Sequence, residues 1–180
     1  MPVFIALYRG INVGGRHAVK MEALRAIHER LGHVGVQTYI QSGNVVFSAK
    51  GAAAGLSRAA ETEFAERFGF PARITVVSAK QWTEFVDANP FARFAAEDPK
   101  TVHAGFCDGR PNATALKDLL TRTGGRETFE IGNGILYVHA PDGFGMSKFA
   151  AGMERASGVS MTVRNWRTVE AIQELIGSAG

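Results

Sequence analysis

The order strand, helix, two strands joined by a glycine-asparagine turn, helix, strand occurs twice along this 180-residue chain, and the recurrence leaves few ways to fold it. In the first pass, residues 3–8 are a β-rich apolar run. Residues 20–31 follow, with Met21, Leu24, Ile27, His28 and Leu31 at helical spacing and Gly32 as a C-terminal stop. Strands over 36–40 and 45–48 flank Ser42-Gly43-Asn44, whose Gly and Asn tolerate the positive φ of a hairpin turn. An amphipathic helix over 56–68, ended by Gly69 and Pro71, leads to a strand over 72–77. A further helix over 79–86 stops at Asn89-Pro90.

The second pass begins at residue 101. A strand over 101–107, a helix over 114–121, strands over 128–131 and 135–139 across Gly132-Asn133-Gly134, a helix over 147–156 and a strand over 160–163 repeat the order. A last helix runs over 166–176. Ile74-Thr75-Val76-Val77-Ser78 precedes one helix as Met161-Thr162-Val163-Arg164-Asn165 precedes another, which points to a structural duplication. The expected fold is α+β: two related ferredoxin-like halves of split βαββαβ type, with antiparallel sheets and helices packed on one face. The expected division is 1–90, a linker over 91–100, and 101–180. A single mixed sheet shared by both halves is the alternative, because strand pairing across a linker leaves no local trace.

Hydrophobic residues make up 46% of the chain and charged residues 21%, and no run of about 18 apolar residues is present. Disorder, collagen-like repeats and a membrane-spanning helix are excluded on that basis. The N-terminal apolar run lacks a basic segment before it and a small-residue cleavage site after it, so a cytoplasmic protein with no membrane partner is expected. Cys107 is the single cysteine; it rules out an intrachain disulfide and a thiolate-rich zinc site, and is expected as a small buried apolar residue. The net charge of +3 resides in the first half. Between residues 9 and 50, Arg9, Arg16, Lys20, Arg25, Arg30 and Lys50 stand against only Glu22 and Glu29, so this segment is suited to meeting an anion.

Two glycine-rich turns feed helices. Gly10-Ile11-Asn12-Val13-Gly14-Gly15-Arg16-His17 has the Gly-x4-Gly spacing of a phosphate-binding P-loop, but Arg16 and His17 stand where that chemistry needs Lys and Ser or Thr. A looser role remains, in which Arg9, Arg16 and glycine amides hold a phosphate or carboxylate in a backbone nest. The alternative is a glycine-rich crossover with solvated arginines. In Pro141-Asp142-Gly143-Phe144-Gly145-Met146-Ser147-Lys148, Ser147 is a natural N-cap, and Lys148 falls in the first helical turn, where the macrodipole disfavours a cation unless an anion is near.

His17, His28 and His33 have no i, i+4 spacing for zinc, the serines lack a Gly-x-Ser-x-Gly elbow, and no carboxylate pair is singled out. Asn44-Val45-Val46-Phe47 does not supply the aromatic pattern of an RNA-recognition motif, and Tyr8, Tyr39 and Phe47 read as strand core. Gln41, Ser42 and Asn44 crowd one hairpin, and Arg164, Asn165 and Trp166 stand where a strand meets a helix. There, Asn165 is placed to cap the helix and Trp166 to pack inside.

Leu7-Tyr8-Arg9-Gly10-Ile11-Asn12-Val13-Gly14-Gly15, Val19-Lys20-Met21 with Leu24-Arg25, and Thr38-Tyr39-Ile40-Gln41-Ser42-Gly43-Asn44-Val45-Val46-Phe47 closely resemble a bacterial family called domain of unknown function 1697. Asn89-Pro90-Phe91, Ser147-Lys148 and Thr162-Val163-Arg164-Asn165-Trp166 extend the resemblance over essentially the whole chain. Phe149 and Arg167 depart from the Leu and Asn of that pattern. The resemblance implies an α+β fold with two related halves and no particular activity.

The expected function is binding of an anionic small molecule or nucleotide-like ligand in a cleft between the halves. Its expected contacts are Arg9, Asn12, Gln41, Ser42, Asn44, Ser147, Lys148, Arg164 and Asn165. Two other classes stay open. One is an enzyme acting on a phosphate- or carboxylate-bearing substrate, in which Lys148 or Arg164 stabilises developing negative charge. The other is a nucleic-acid-binding or protein-interaction module without catalysis. No metal or cofactor is expected.

Overall fold

The structure, a computed structural model, describes residues 1–15 and 18–178. The chain divides into two compact units, Met1–Glu84 with Ala171–Gly180, and Phe85–Glu170. Among the described residues no helix is long and apolar enough to cross a membrane.

The first unit holds β1 (Val3–Arg9), α1 (Met21–Arg30), β2 (Val34–Tyr39), β3 (Asn44–Ser48), α2 (Ala53–Phe68) and β4 (Arg73–Ser78), in that order. Its sheet has the strand order β2-β3-β1-β4, all antiparallel. Pairing sets Phe4 opposite Phe47, Ala6 opposite Val45 and Val76, and Tyr8 opposite Ile74. Side chains alternate across a strand, so these residues share one face. Leu24 and Ile27 of α1 and Leu56, Ala60 and Phe64 of α2 pack in the same core cluster. Ile5 and Leu7, on the opposite face of β1, are also fully buried, which is why β1 reads as a continuous apolar run rather than an alternating one.

The structure extends α2 three residues toward its N-terminus, to Ala53, beyond the stretch where apolar spacing is evident. β2 begins at Val34 instead of residue 36, with an irregular register between Val34 and Gln37 where Gly35 takes φ +62°. It ends before Ile40, which lies in the turn at φ +46°.

After α3 (Ala79–Asp87), residues 91–100 hold a short helix, α4 (Ala92–Glu97), and a turn in which Asp98 Oδ1 accepts from the Lys100 N–H at 3.0 Å. β5 (Val102–Cys107), α5 (Ala113–Thr123), β6 (Thr128–Gly132), β7 (Ile135–His139), a 3-10 turn at Phe144–Met146, α6 (Lys148–Ser157), β8 (Met161–Asn165) and α7 (Trp166–Ser178) complete the chain. The second sheet has the order β6-β7-β5-β8, again all antiparallel. The strands therefore form two sheets of four, each within its own βαββαβ order, and not one mixed sheet.

The core of the second unit joins Leu116 of α5 and Phe149 and Met153 of α6 to Leu136, Val138 and Met161 of the sheet. Two glycines permit that packing. A Cβ on Gly152 would sit 3.2 Å from Leu119, where α5 and α6 approach, and one on Gly105 would meet Met161 Sδ at 3.1 Å. Cys107 is half-buried at the end of β5, and burial pushes its thiol up to about 11. A raised thiol pKa disfavours the reactive thiolate at this position.

Candidate functional site

In the first unit, the chain leaving β1 is folded back by Asn12, which adopts φ +56°. Its Nδ2 donates to the Val19 carbonyl at 2.9 Å and to the Gln41 carbonyl at 2.7 Å, and its Oδ1 accepts from the Val19 N–H at 2.7 Å. One side chain thus closes the loop onto the start of α1 and ties it to the β2–β3 turn. Asn44 holds that turn from inside: it is buried, and its Nδ2 donates to the Tyr39 carbonyl at 2.9 Å and to Ser42 Oγ at 3.0 Å. The Gly43 carbonyl accepts from the Tyr8 N–H at 2.8 Å.

Three of the expected ligand contacts, Asn12, Ser42 and Asn44, are therefore engaged in loop construction. Gln41 is exposed, and Arg9 is half-buried at the end of β1 directly opposite Arg73 of β4. Arg16 and His17, the remainder of the expected anion-holding loop, lie outside the described residues.

In the second unit, Ser147 is the N-cap of α6, its Oγ accepting from the Ala150 N–H at 2.9 Å. The same hydroxyl donates to Glu127 Oε1, just before β6. Lys148 is the first residue of α6, exposed to solvent, and makes no ion pair among the described residues. Beside them opens a pocket of ≈ 240 Å³, lined by Gly125, Glu127, Asp142, Met146, Ser147 and Lys148 among others. Asp142 pairs with Arg126 at its edge, and that hydrogen bond holds the Asp142 carboxyl below the usual carboxylate range.

Arg164 does not reach this pocket. It lies on the face of β8 opposite to Val163, whereas α5 and α6 pack over the Val163 face, so the sheet stands between Arg164 and Lys148. It is buried, donates from Nη1 to the Val163 carbonyl at 2.9 Å, and burial lowers its guanidinium to about 10. Asn165 is the helix cap that its position at the strand end indicates, its Oδ1 accepting from the Thr168 N–H at 2.9 Å. Trp166 is 4% exposed.

Two features escaped the sequence reading. Glu127 carries no periodicity or spacing signal; only the Gly124-Gly125 turn before it marks a place where a side chain folds back. The second is a buried polar chain in the first unit, Tyr8–His28–His33, in which the two histidines reach each other across the Gly32 stop. Tyr8 and Phe47 are fully buried and so cannot stack on a base. No group of three or more His, Cys, Asp or Glu among the described residues could hold a metal ion.

The family described as "Protein of unknown function (DUF1697)" matches residues 1–137. Among solved structures, the conserved bacterial protein SP0830 from Streptococcus pneumoniae is similar with a TM-score of 0.72 and 22% identity, over 97% of this chain and 98% of that one. At that identity the likeness speaks for the fold alone. No curated protein matches the chain. With the polar strings of its first half and the two-sheet architecture both accounted for, the chain belongs to the family of proteins of unknown function designated DUF1697.

Proposed function

We propose that this protein binds a small molecule through an anionic group, phosphate or carboxylate, in the pocket at the start of α6. The observation that carries the reading is that Lys148 and Ser147 together line that pocket of ≈ 240 Å³ at the start of α6. A helix N-terminus attracts negative charge and disfavours a lysine, so an exposed Lys148 in the first turn is best accounted for by an anion seated between its ammonium and the helix end. Asn12, Ser42 and Asn44 enter as residues that hold the first unit's loops in shape. The same proposal takes each unit as ferredoxin-like and the pair as products of duplication. The identical strand order and the positive-φ glycines of both hairpins, Gly43 and Gly134, support it.

The test is a thermal-shift series with nucleotides, sugar phosphates and inorganic phosphate at low and high salt. A specific ligand at about 100 times its Kd stabilises by about 2.7 kcal/mol, a rise of roughly 5 to 10 °C at this chain length. The shift should survive salt and drop at least about tenfold in apparent affinity in Lys148→Ala, the loss of one charge-assisted contact. A shift unchanged in both Lys148→Ala and Ser147→Ala would place the ligand elsewhere and end this reading.

A further inference from the structure

We propose that Glu127 is a built-in competitor for the anion seat: its carboxylate occupies the Ser147 end of the pocket, and a ligand's anionic group binds by displacing it. The proposal rests on the reading of the pocket given above.

Three observations carry it. First, Glu127 Oε1 accepts from the Ser147 hydroxyl at the N-cap of α6, the position an incoming phosphate or carboxylate oxygen would take. Second, the seated carboxylate is only half satisfied, since Oε2 is closed off from solvent with no hydrogen-bond partner. A buried acceptor left unpaired carries its full desolvation penalty, and swinging Glu127 outward returns water to both oxygens. Third, a Cβ on residue 125 would overlap that carboxylate. Gly125 is not in the left-handed region, so what a side chain there would disturb is the seated carboxylate, the mobile end of Glu127. Lys148, which makes no ion pair among the described residues, remains available to the arriving anion.

The experiment titrates inorganic phosphate and acetate into the full chain, following the amide resonances of residues 147–150, for wild type, Glu127→Asp, Gly125→Ala, Glu127→Gln and Lys148→Ala. Glu127→Asp keeps the charge but is one methylene too short to reach Ser147, and Gly125→Ala keeps the glutamate but expels it. Both should bind the probes tighter by at least about fivefold, the lower end of typical coupling between sites. Gly125→Ala and Glu127→Asp act by different routes, so misfolding of one, visible in its amide spectrum, leaves the other as the test.

Tightening in Glu127→Gln alone would report simple removal of a negative charge and would overturn the competitor role. Wild-type binding that is sensitive to Lys148→Ala but unaltered by Glu127→Asp and Gly125→Ala would overturn it too, while leaving the anion pocket in place. If no variant binds either probe at residues 147–150, the pocket reading fails and Glu127 has nothing to compete with.

Discussion

The phenolic oxygen of Tyr8 lies 3.0 Å from Nε2 of His28, and both side chains are completely buried. His28 Nδ1 in turn lies 2.9 Å from Nδ1 of His33. A hydrogen bond between two ring nitrogens needs one proton, so the chain has a direction. With Tyr8 donating to Nε2, His28 carries its proton on Nδ1 and donates to His33, whose own proton is then on Nε2. Both ring nitrogens of His28 are used, and in this arrangement both histidines are neutral. Phe47 lies against both rings, at 4.6 Å from His28 and 4.3 Å from His33.

The neutral pair makes the first unit acid-sensitive. Burial, and then the proximity of His33, lowers His28 to about 3, and burial lowers His33. Unfolded histidines protonate near pH 6.5, so below that pH the unfolded state binds more protons than the folded one. The stabilisation is complete above about pH 6.5 and is lost as pH falls toward 3, at about 1.4 kcal/mol per pH unit from His28. His103 of the second unit, lowered to about 4 by burial, acts in the same direction. Urea midpoints between pH 7 and pH 4.5 should fall steadily, and less steeply in His28→Gln; an equal slope in that variant would contradict the assignment.

Removing the hydroxyl from Tyr8 should cost about 1–3 kcal/mol, because His28 Nε2 stays buried without its donor. A double-mutant cycle with Tyr8→Phe and His33→Phe tests whether the chain acts as a unit. A coupling energy of about 0.5 kcal/mol or more is expected for residues in one network, and additivity within error would mean that the two ends do not communicate.

The two hairpins respond differently to the same substitution. Gly43 at φ +79° has no room for a Cβ, which would lie 2.6 Å from Ile11 Cδ1 and 2.7 Å from Tyr8 Cβ. Gly134 at φ +78° has open space. Gly134→Ala should therefore cost only the left-handed backbone term, about 1–2 kcal/mol. Gly43→Ala adds displacement of Tyr8 and Ile11 and should cost upward of about 4 kcal/mol, or prevent folding. Chemical denaturation of both variants decides the comparison.

Asn12→Ala removes three hydrogen bonds and places alanine at positive φ, so a loss of about 2–3 kcal/mol is expected. The loss should be local. Hydrogen exchange at the Val19 amide, which donates to Asn12 Oδ1, should accelerate strongly, while the amides of β3 keep their protection. Uniform acceleration across the unit would show that Asn12 supports the whole unit instead of one loop.

Much of the architecture was legible in the residue order because its causes are local. The buried face of α1 follows from Leu24, Ile27 and His28 at helical spacing, the hairpins from Gly43 and Asn133-Gly134, and the α6 and α7 starts from Ser147 and Asn165 as N-caps. Each signal acts within about one turn of chain. The site was legible only in part. Ser147 and Lys148 were marked by their place at a helix start, whereas Asn12 and Asn44 proved to hold the backbone and Arg164 to lie on the far side of its sheet.

What tertiary structure alone decided was which polar groups meet. Asn12 finds the Gln41 carbonyl 29 residues away, and Tyr8 finds His28, and Ser147 finds Glu127, at a separation of 20. No periodicity records such pairings. They arise when packing of the apolar faces brings distant backbone segments together and sets these donors and acceptors within reach of each other, a consequence of the whole chain's topology and not of any stretch of it.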